Sequence, residues 1–271
     1  MKGRAFSPGN ITLFFGIIEN KDPMKKGSIG VSFAVSKGAI AEAYAEEETA
    51  IFVNGKKKRF PTVLDAVRML TDRDVRVDIK AQLPIGCGYG MSGACTLAAL
   101  YVVNEALGLK RSEKSLALMA HKSEVINKTG LGSITAEYLG GVLMRKKKSS
   151  PVSAKKLKVK KSKLYVRSFG KLSTEKVITD KKLKKKISMC CGRAFSDIGK
   201  NPSMDELLVA GKIFGEGTGL LKDKRILKII EKVKVKGGAA TMNMLGKSVV
   251  ATIAFPGSMP VTVSSSGAKL V

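Results

Sequence analysis

The run Pro84-Ile85-Gly86-Cys87-Gly88-Tyr89-Gly90-Met91-Ser92-Gly93-Ala94 sets glycines at alternate positions and follows them with a hydroxyl. Such glycines let the backbone turn its amides inward. A helix starting just after them adds unpaired N–H groups and the positive end of its dipole. Together these make a socket for phosphate oxygens. Ser92 stands where its hydroxyl can cap that helix or touch a phosphate-bound magnesium ion. The Gly-Lys-Ser/Thr ending of a Walker A loop is absent. So is the acidic residue that a dinucleotide-binding turn carries about twenty positions on; Lys110 and Arg111 lie there instead. By residue type alone the run is open between a tight structural turn and a phosphate loop.

The flanks supply the strand and the helix that a phosphate loop needs. Val75 to Ala81 alternates, with Val75, Val77 and Ile79 on one face, as a half-buried strand does. A long apolar helix is predicted from about Ser92 to Leu107, stopped by Gly108. A second begins near Ser112, with Glu113 in its first turn, and runs to about Asn127. It carries Glu124, which is open between an exposed helix glutamate and a hard-oxygen ligand for magnesium. Upstream, Thr12 to Ile18 and Gly30 to Val35 read as strands, and Thr62 to Leu70 as a short helix with Val63, Ala66, Val67 and Leu70 at helical spacing. Downstream, Met204 to Phe214 and Lys224 to Val233 read as helices, and Ser248 to Phe255 and Val261 to Ser264 as strands. The lysine-dense stretch from Arg145 to Arg167, broken by Ser149, Ser150 and Pro151, reads as a linker or hairpin between two domains, 1–149 and 150–271. It and a second basic cluster, Lys181 to Lys186, read as solvated surface.

Composition narrows the function classes. The 271 residues carry 49 Lys+Arg against 22 Asp+Glu, a formal charge of +27. That field favours anionic partners, from nucleic acid to phosphorylated metabolites. Only Tyr165 and Phe169 interleave with the basic stretch, so no stacking platform for single strands is indicated, and no nucleic-acid partner is expected. No apolar run reaches the roughly 20 residues of a membrane span, and Pro8, Gly9 and Asn10 break any signal-peptide core. Cys87, Cys95, Cys190 and Cys191 form no CxxC pair, and His121 is the one histidine, so a structural zinc site is not expected. These features suit a cytoplasmic protein without a membrane partner.

The glycine run resembles the Pro-x3-Gly-x-Gly-x-Ser-x-Ala loop of the GHMP kinases, and its Met-Ser-Gly-Ala variant resembles the archaeal pantoate kinases within that superfamily. Other segments agree in order. Phe6-Ser7-Pro8-Gly9-Asn10-Ile11-Thr12 is similar to the opening strand of those enzymes, and Gly27-Ser28-Ile29-Gly30 to their second glycine motif. Thr129-Gly130-Leu131-Gly132 followed by Gly140-Gly141 and Arg145 is similar to the block that closes their first domain. Phe169 to Thr174 and Met242 to Gly246 match blocks of their second domain. The resemblance implies an α+β, two-domain GHMP kinase fold. A half like domain 2 of ribosomal protein S5 would join a ferredoxin-like half, with the active site between them. It implies transfer of the ATP γ-phosphoryl to the 4-hydroxyl of pantoate, giving 4-phosphopantoate in coenzyme A synthesis. A GHMP kinase acting on another small hydroxy acid or alcohol, a weakly active nucleotide-binding relative, and a nucleic-acid-binding module are the alternatives.

The resemblance also assigns residues. Pro84, Gly86, Gly88, Gly90, Met91, Ser92, Gly93 and Ala94 would hold the nucleotide, and Ser92 and Glu124 the magnesium ion. Asn10, Thr12 and Ser28 would face the acceptor. ATP and Mg2+ are the implied cofactors, pantoate the small-molecule partner, and a homodimer the implied assembly. Two positions depart from the pattern. Asn10 stands where many GHMP kinases carry a cation. Ser133 stands at the site of the catalytic aspartate and brings no carboxylate basicity. Ser133→Asp is therefore expected to raise turnover if the surrounding site accommodates a carboxylate.

Overall fold

The computed structural model describes residues 3–146, 152–160 and 163–271. In chain order the elements are β1 (Arg4–Ile18), β2 (Gly27–Ala45), β3 (Ala50–Val53), β4 (Lys56–Lys57), α1 (Pro61–Leu70), β5 (Val75–Ala81), α2 (Met91–Ala106), α3 (Glu113–Ile126), α4 (Ser133–Leu139), β6 (Val142–Arg145), β7 (Lys155–Leu157), β8 (Lys163–Gly170), α5 (Thr174–Thr179), α6 (Lys181–Asp197), α7 (Met204–Thr218), α8 (Lys224–Val235), β9 (Ala240–Met242), β10 (Lys247–Ala251), β11 (Met259–Thr262) and β12 (Lys269–Leu270).

The long antiparallel hairpin β1–β2 is the spine. The larger sheet runs β12-β1-β2-β5-β3-β4, with β6 pairing the first part of β2 and β7 pairing β6. Pro8, Gly9 and Asn10 do not end β1. The strand passes through them with register shifts at Pro8/Gly9 and Thr12/Phe14, the bulges by which a long strand absorbs residues that pair poorly. The smaller sheet runs β11-β8-β10-β9. Residues 155–157 and 269–270 thus add strands to the larger sheet, whereas residues 163–170 and 240–262 build the smaller one. The architecture is α+β.

Helix α2 is apolar on every side, and residues from Met91 to Val103 are buried apart from Ser92. Such a helix belongs in the interior, and α2 packs on β1, β2, α1 and α3. Helix α3 starts at Ser112, whose side chain accepts from the Ser115 amide, with Glu113 in the first turn, an arrangement that satisfies an orphan donor and complements the dipole. The lysine cluster 181–186 is mostly exposed, as expected, and belongs to a helix. Asp180 caps α6, and Ile187, Cys191 and Ala194 are buried at helical spacing while the lysines lie mostly outside. Phe195 of α6 meets Phe14 of β1 edge to face at 5.2 Å. The lysine-dense 145–167 stretch falls partly outside the described residues; its described parts include the short strand β7 and the start of β8.

Backbone contacts bind the two sheets around the glycine run. Leu172 N–H donates to the Gly86 carbonyl at 3.1 Å, and Met244 N–H to the Thr12 carbonyl at 3.1 Å. The Ser248 hydroxyl donates to the Cys87 carbonyl at 2.6 Å.

Candidate active site

Where the glycine run enters α2, Gly90 takes φ 61° at the N-cap position and no side chain caps the helix. A residue with a Cβ would be strained in that left-handed conformation. The Ala94 N–H already donates to the Gly90 carbonyl; the amides before it in the first turn have no partner within the helix. The Ser92 hydroxyl is buried and has no hydrogen-bond partner among the described residues. An orphaned buried hydroxyl at a helix start is costly unless something binds there.

Ser92 lines a cleft of about 940 Å³. Of the residues singled out from the sequence, Asn10, Thr12, Ser28, Gly86, Gly88, Gly90, Met91, Ser92, Glu124 and Ser133 line it as well. Pro84, Gly93 and Ala94 do not: Pro84 is exposed at the start of the turn, and Gly93 and Ala94 are buried in the first turn of α2. The smaller-sheet half closes the cleft with Thr174, Ile178, Met244 and Leu245.

Glu124 is not an exposed helix glutamate. It is 1% exposed and accepts a short hydrogen bond on Oε2 from the Ser133 hydroxyl. Burial pushes its carboxyl up to about 7, opposed by the Ser133 hydrogen bond. Ser133 thus serves the neighbouring carboxylate. An aspartate at 133 would set a further negative charge against Glu124 in a desolvated pocket that also holds Glu137 beside Gly93. That like charge makes Ser133→Asp expected to lower turnover and not to raise it.

Arg145 lines the same cleft and is the one cation among its described lining residues. Pairing of β6 with β2 sets Arg145 opposite Gly30. Its guanidinium donates to Ser28 Oγ at 3.2 Å and to Thr135 Oγ1 at 3.1 Å. Burial lowers its pKa to about 10, so it stays charged at neutral pH. Leu131, Leu143, Ile29 and Ile178 add apolar surface to the cleft.

Asn10 supplies no cation. Its Nδ2 donates to Thr12 Oγ1 at 3.2 Å, and its Oδ1 is buried without a partner among the described residues. His121 is held neutral: burial lowers its pKa to about 4, and Nε2 lies 3.0 Å from the Lys26 carbonyl, which it meets as a donor. Glu137, which no pattern in the sequence singled out, is fully buried beside the glycine run. Its position four residues after Ser133 places both on one face of α4, the one signal that could have drawn attention to it.

The family model for the GHMP kinases N terminal domain matches residues 60–141. The chain is 33% identical over 249 residues to the pantoate kinase of Methanocaldococcus jannaschii, covering 90% of each chain. It is 28% identical to the pantoate kinase of Thermococcus kodakarensis over 264 residues, 92% of this chain and 87% of that one. Among solved structures, a phosphotransferase related to the CoA biosynthesis pathway superposes with a TM-score of 0.88 at 25% identity, covering 100% of this chain and 99% of the other. The glycine run ahead of α2, the Ser133–Glu124 hydrogen bond and the end-to-end likeness agree, and the chain belongs to the pantoate kinase family of GHMP kinases.

Proposed function

We propose that this protein transfers the γ-phosphoryl group of ATP to the 4-hydroxyl of pantoate. The observation that carries this reading is Arg145, a buried cation held by Ser28 and Thr135 in a cleft that also contains the uncapped start of α2. Pantoate has one carboxylate, a primary hydroxyl and a gem-dimethyl carbon. A guanidinium suits the carboxylate, apolar side chains such as Leu131 and Ile178 suit the methyl groups, and the open helix start suits the nucleotide phosphates.

Phosphoryl transfer needs alignment and charge neutralisation more than covalent chemistry. The amides of Gly90 to Ser92 would bind the β- and γ-phosphates. Ser92 and Glu124 would hold magnesium, since the orphaned hydroxyl and the buried carboxylate are hard oxygen donors facing one cleft. When bound, that ion neutralises charge on the phosphates. Ser133 favours the ionised form of Glu124 by donating to it, against the opposing effect of burial. The acceptor proton leaves late, to the transferred phosphate or to water, because the transition state is loose.

The same reading expects a cytoplasmic homodimer with a domain division near residue 149. It is tested by incubating the protein with ATP, magnesium and pantoate and identifying the product by phosphorus NMR. A new phosphomonoester on the primary carbon is expected; ADP release without it would overturn the assignment.

A further inference from the structure

Glu137 presents an anomaly that the roles above do not use. Its side chain is fully buried, and neither carboxylate oxygen has a hydrogen-bond partner among the described residues. Native structures seldom leave such a group without a reason. Its surroundings supply one. The carboxyl lies against the first turn of α2, with Oε1 at Gly90 and Oε2 at Gly93, so closely that a Cβ at either glycine would collide with it. Asn10 of β1 flanks it at Gly90, and Ile134 and Ser133 flank it at Gly93. The carboxyl is therefore the filling of a notch whose two walls are the glycines of the phosphate loop.

We propose that Glu137 is a positioning residue for nucleotide binding, its carboxyl wedged between Gly90 and Gly93 to fix the first turn of α2 with its free amides and Ser92 facing the cleft. The inference rests on the reading of that turn as the phosphate site. The wedge must be uncharged in use. A carboxylate here would lie beside bound phosphates, and burial together with the charge of Glu124 on α3 already raises the Glu137 pKa well above the ordinary range. The other titratable group coupled to it is the Cys95 thiol of α2, itself pushed upward by burial. Shape is then what the residue contributes. Glutamine, of equal shape and no charge, should replace it, whereas alanine should leave a void beside the turn.

The test is calorimetric titration of Mg-ADP into wild type, Glu137→Gln and Glu137→Ala, with melting temperature and KM for pantoate recorded alongside. The expected result is Gln within about threefold of wild type and Ala at least tenfold weaker, with KM for pantoate changed less than threefold in both. A second pair covers the case in which the alanine variant does not fold. Gly93→Ala should weaken nucleotide binding by driving its Cβ into the carboxyl, and adding Glu137→Ser should restore at least part of it. Unchanged nucleotide affinity in Glu137→Ala, a Gln variant as weak as the Ala variant, or no restoration in the double variant would each overturn the proposal. Nucleotide titration needs no acceptor, so these outcomes stand apart from the identity of the substrate. A wild-type protein that bound no Mg-ADP would instead refute the reading of the phosphate site.

Discussion

Replacing Ser133 with alanine should impair catalysis in a way that depends on pH. The Ser133 hydroxyl donates to Glu124 Oε2, and Glu124 titrates at about 7 because it is buried. In wild type, then, about half of Glu124 is ionised at pH 7. A hydrogen bond to a charged group contributes about 1.5 kcal/mol at the low end, so its loss makes ionisation about tenfold harder. The ionised fraction at pH 7 then drops from about one half to about one tenth, a loss of about fivefold in kcat/KM for Mg-ATP. At pH 6 the loss approaches about tenfold, and at pH 9, where both proteins are ionised, it nearly vanishes. The assay is initial-rate ADP release at fixed free magnesium from pH 6 to 9, read as the ratio of wild type to variant. Titration of the nucleotide cancels in that ratio. A ratio independent of pH would refute the argument that Ser133 acts through Glu124. So would a loss above about 100-fold at every pH, since general-base help of that size belongs to a group that takes the acceptor proton directly.

Ser133→Asp should lower kcat at pH 7 by at least about tenfold, because it sets another carboxylate against Glu124 where burial already resists charge; steady-state kinetics with pantoate checks this. Ser92→Ala and Glu124→Ala should each cost about 100-fold in kcat, as each removes one hard oxygen from the charge-stabilising shell; near-wild-type turnover in the folded Glu124→Ala protein would return that residue to a structural role. Glu124→Gln should raise the melting temperature. The folded-state pKa of Glu124 lies above the ordinary glutamate value of 4.5, so the unfolded chain ionises first as pH rises, and stability is lost between pH 4.5 and about 7. The glutamine variant escapes that loss, on the order of 3 kcal/mol. The two proteins should melt together near pH 4.5 and separate by several degrees at pH 8, roughly 2–4 °C per kcal/mol at this size.

Strong local patterns carried much of the fold in the sequence. The alternation of Val75, Val77 and Ile79 located β5 to the residue. The apolar run after Gly90 located α2, and Ser112 with Glu113 located the start of α3. Segments whose structure depends on distant partners were less legible. Strand β1 reaches back to Arg4 through Pro8 and Gly9 because β2 and β12 pair with it there. The lysines of 181–186 masked α6, although Leu183, Ile187, Cys191 and Ala194 recur at helical spacing within it. Strand β10 ends at Ala251, earlier than its apolar run, because the chain turns before Phe255, Pro256 and Gly257. In the site, the glycine run and Ser92 were legible because their chemistry is local. Glu137 was not, because a glutamate in a short helix looks the same from sequence whether it faces solvent or the underside of a phosphate loop.

The central claim concerns the acceptor, and one comparison tests it most directly. Purified protein with saturating Mg-ATP should be assayed for ADP release against pantoate, homoserine, mevalonate, shikimate and pantothenate under identical conditions. Every member of this panel carries a carboxylate, so the discrimination has to come from the apolar surface of Leu131, Leu143, Ile29 and Ile178 around Arg145, whose fit to the gem-dimethyl carbon should favour pantoate by at least about tenfold in kcat/KM. Arg145→Met should raise KM for pantoate without moving the preference to another carboxylate of the panel. A higher kcat/KM for any other member of the panel would contradict the account.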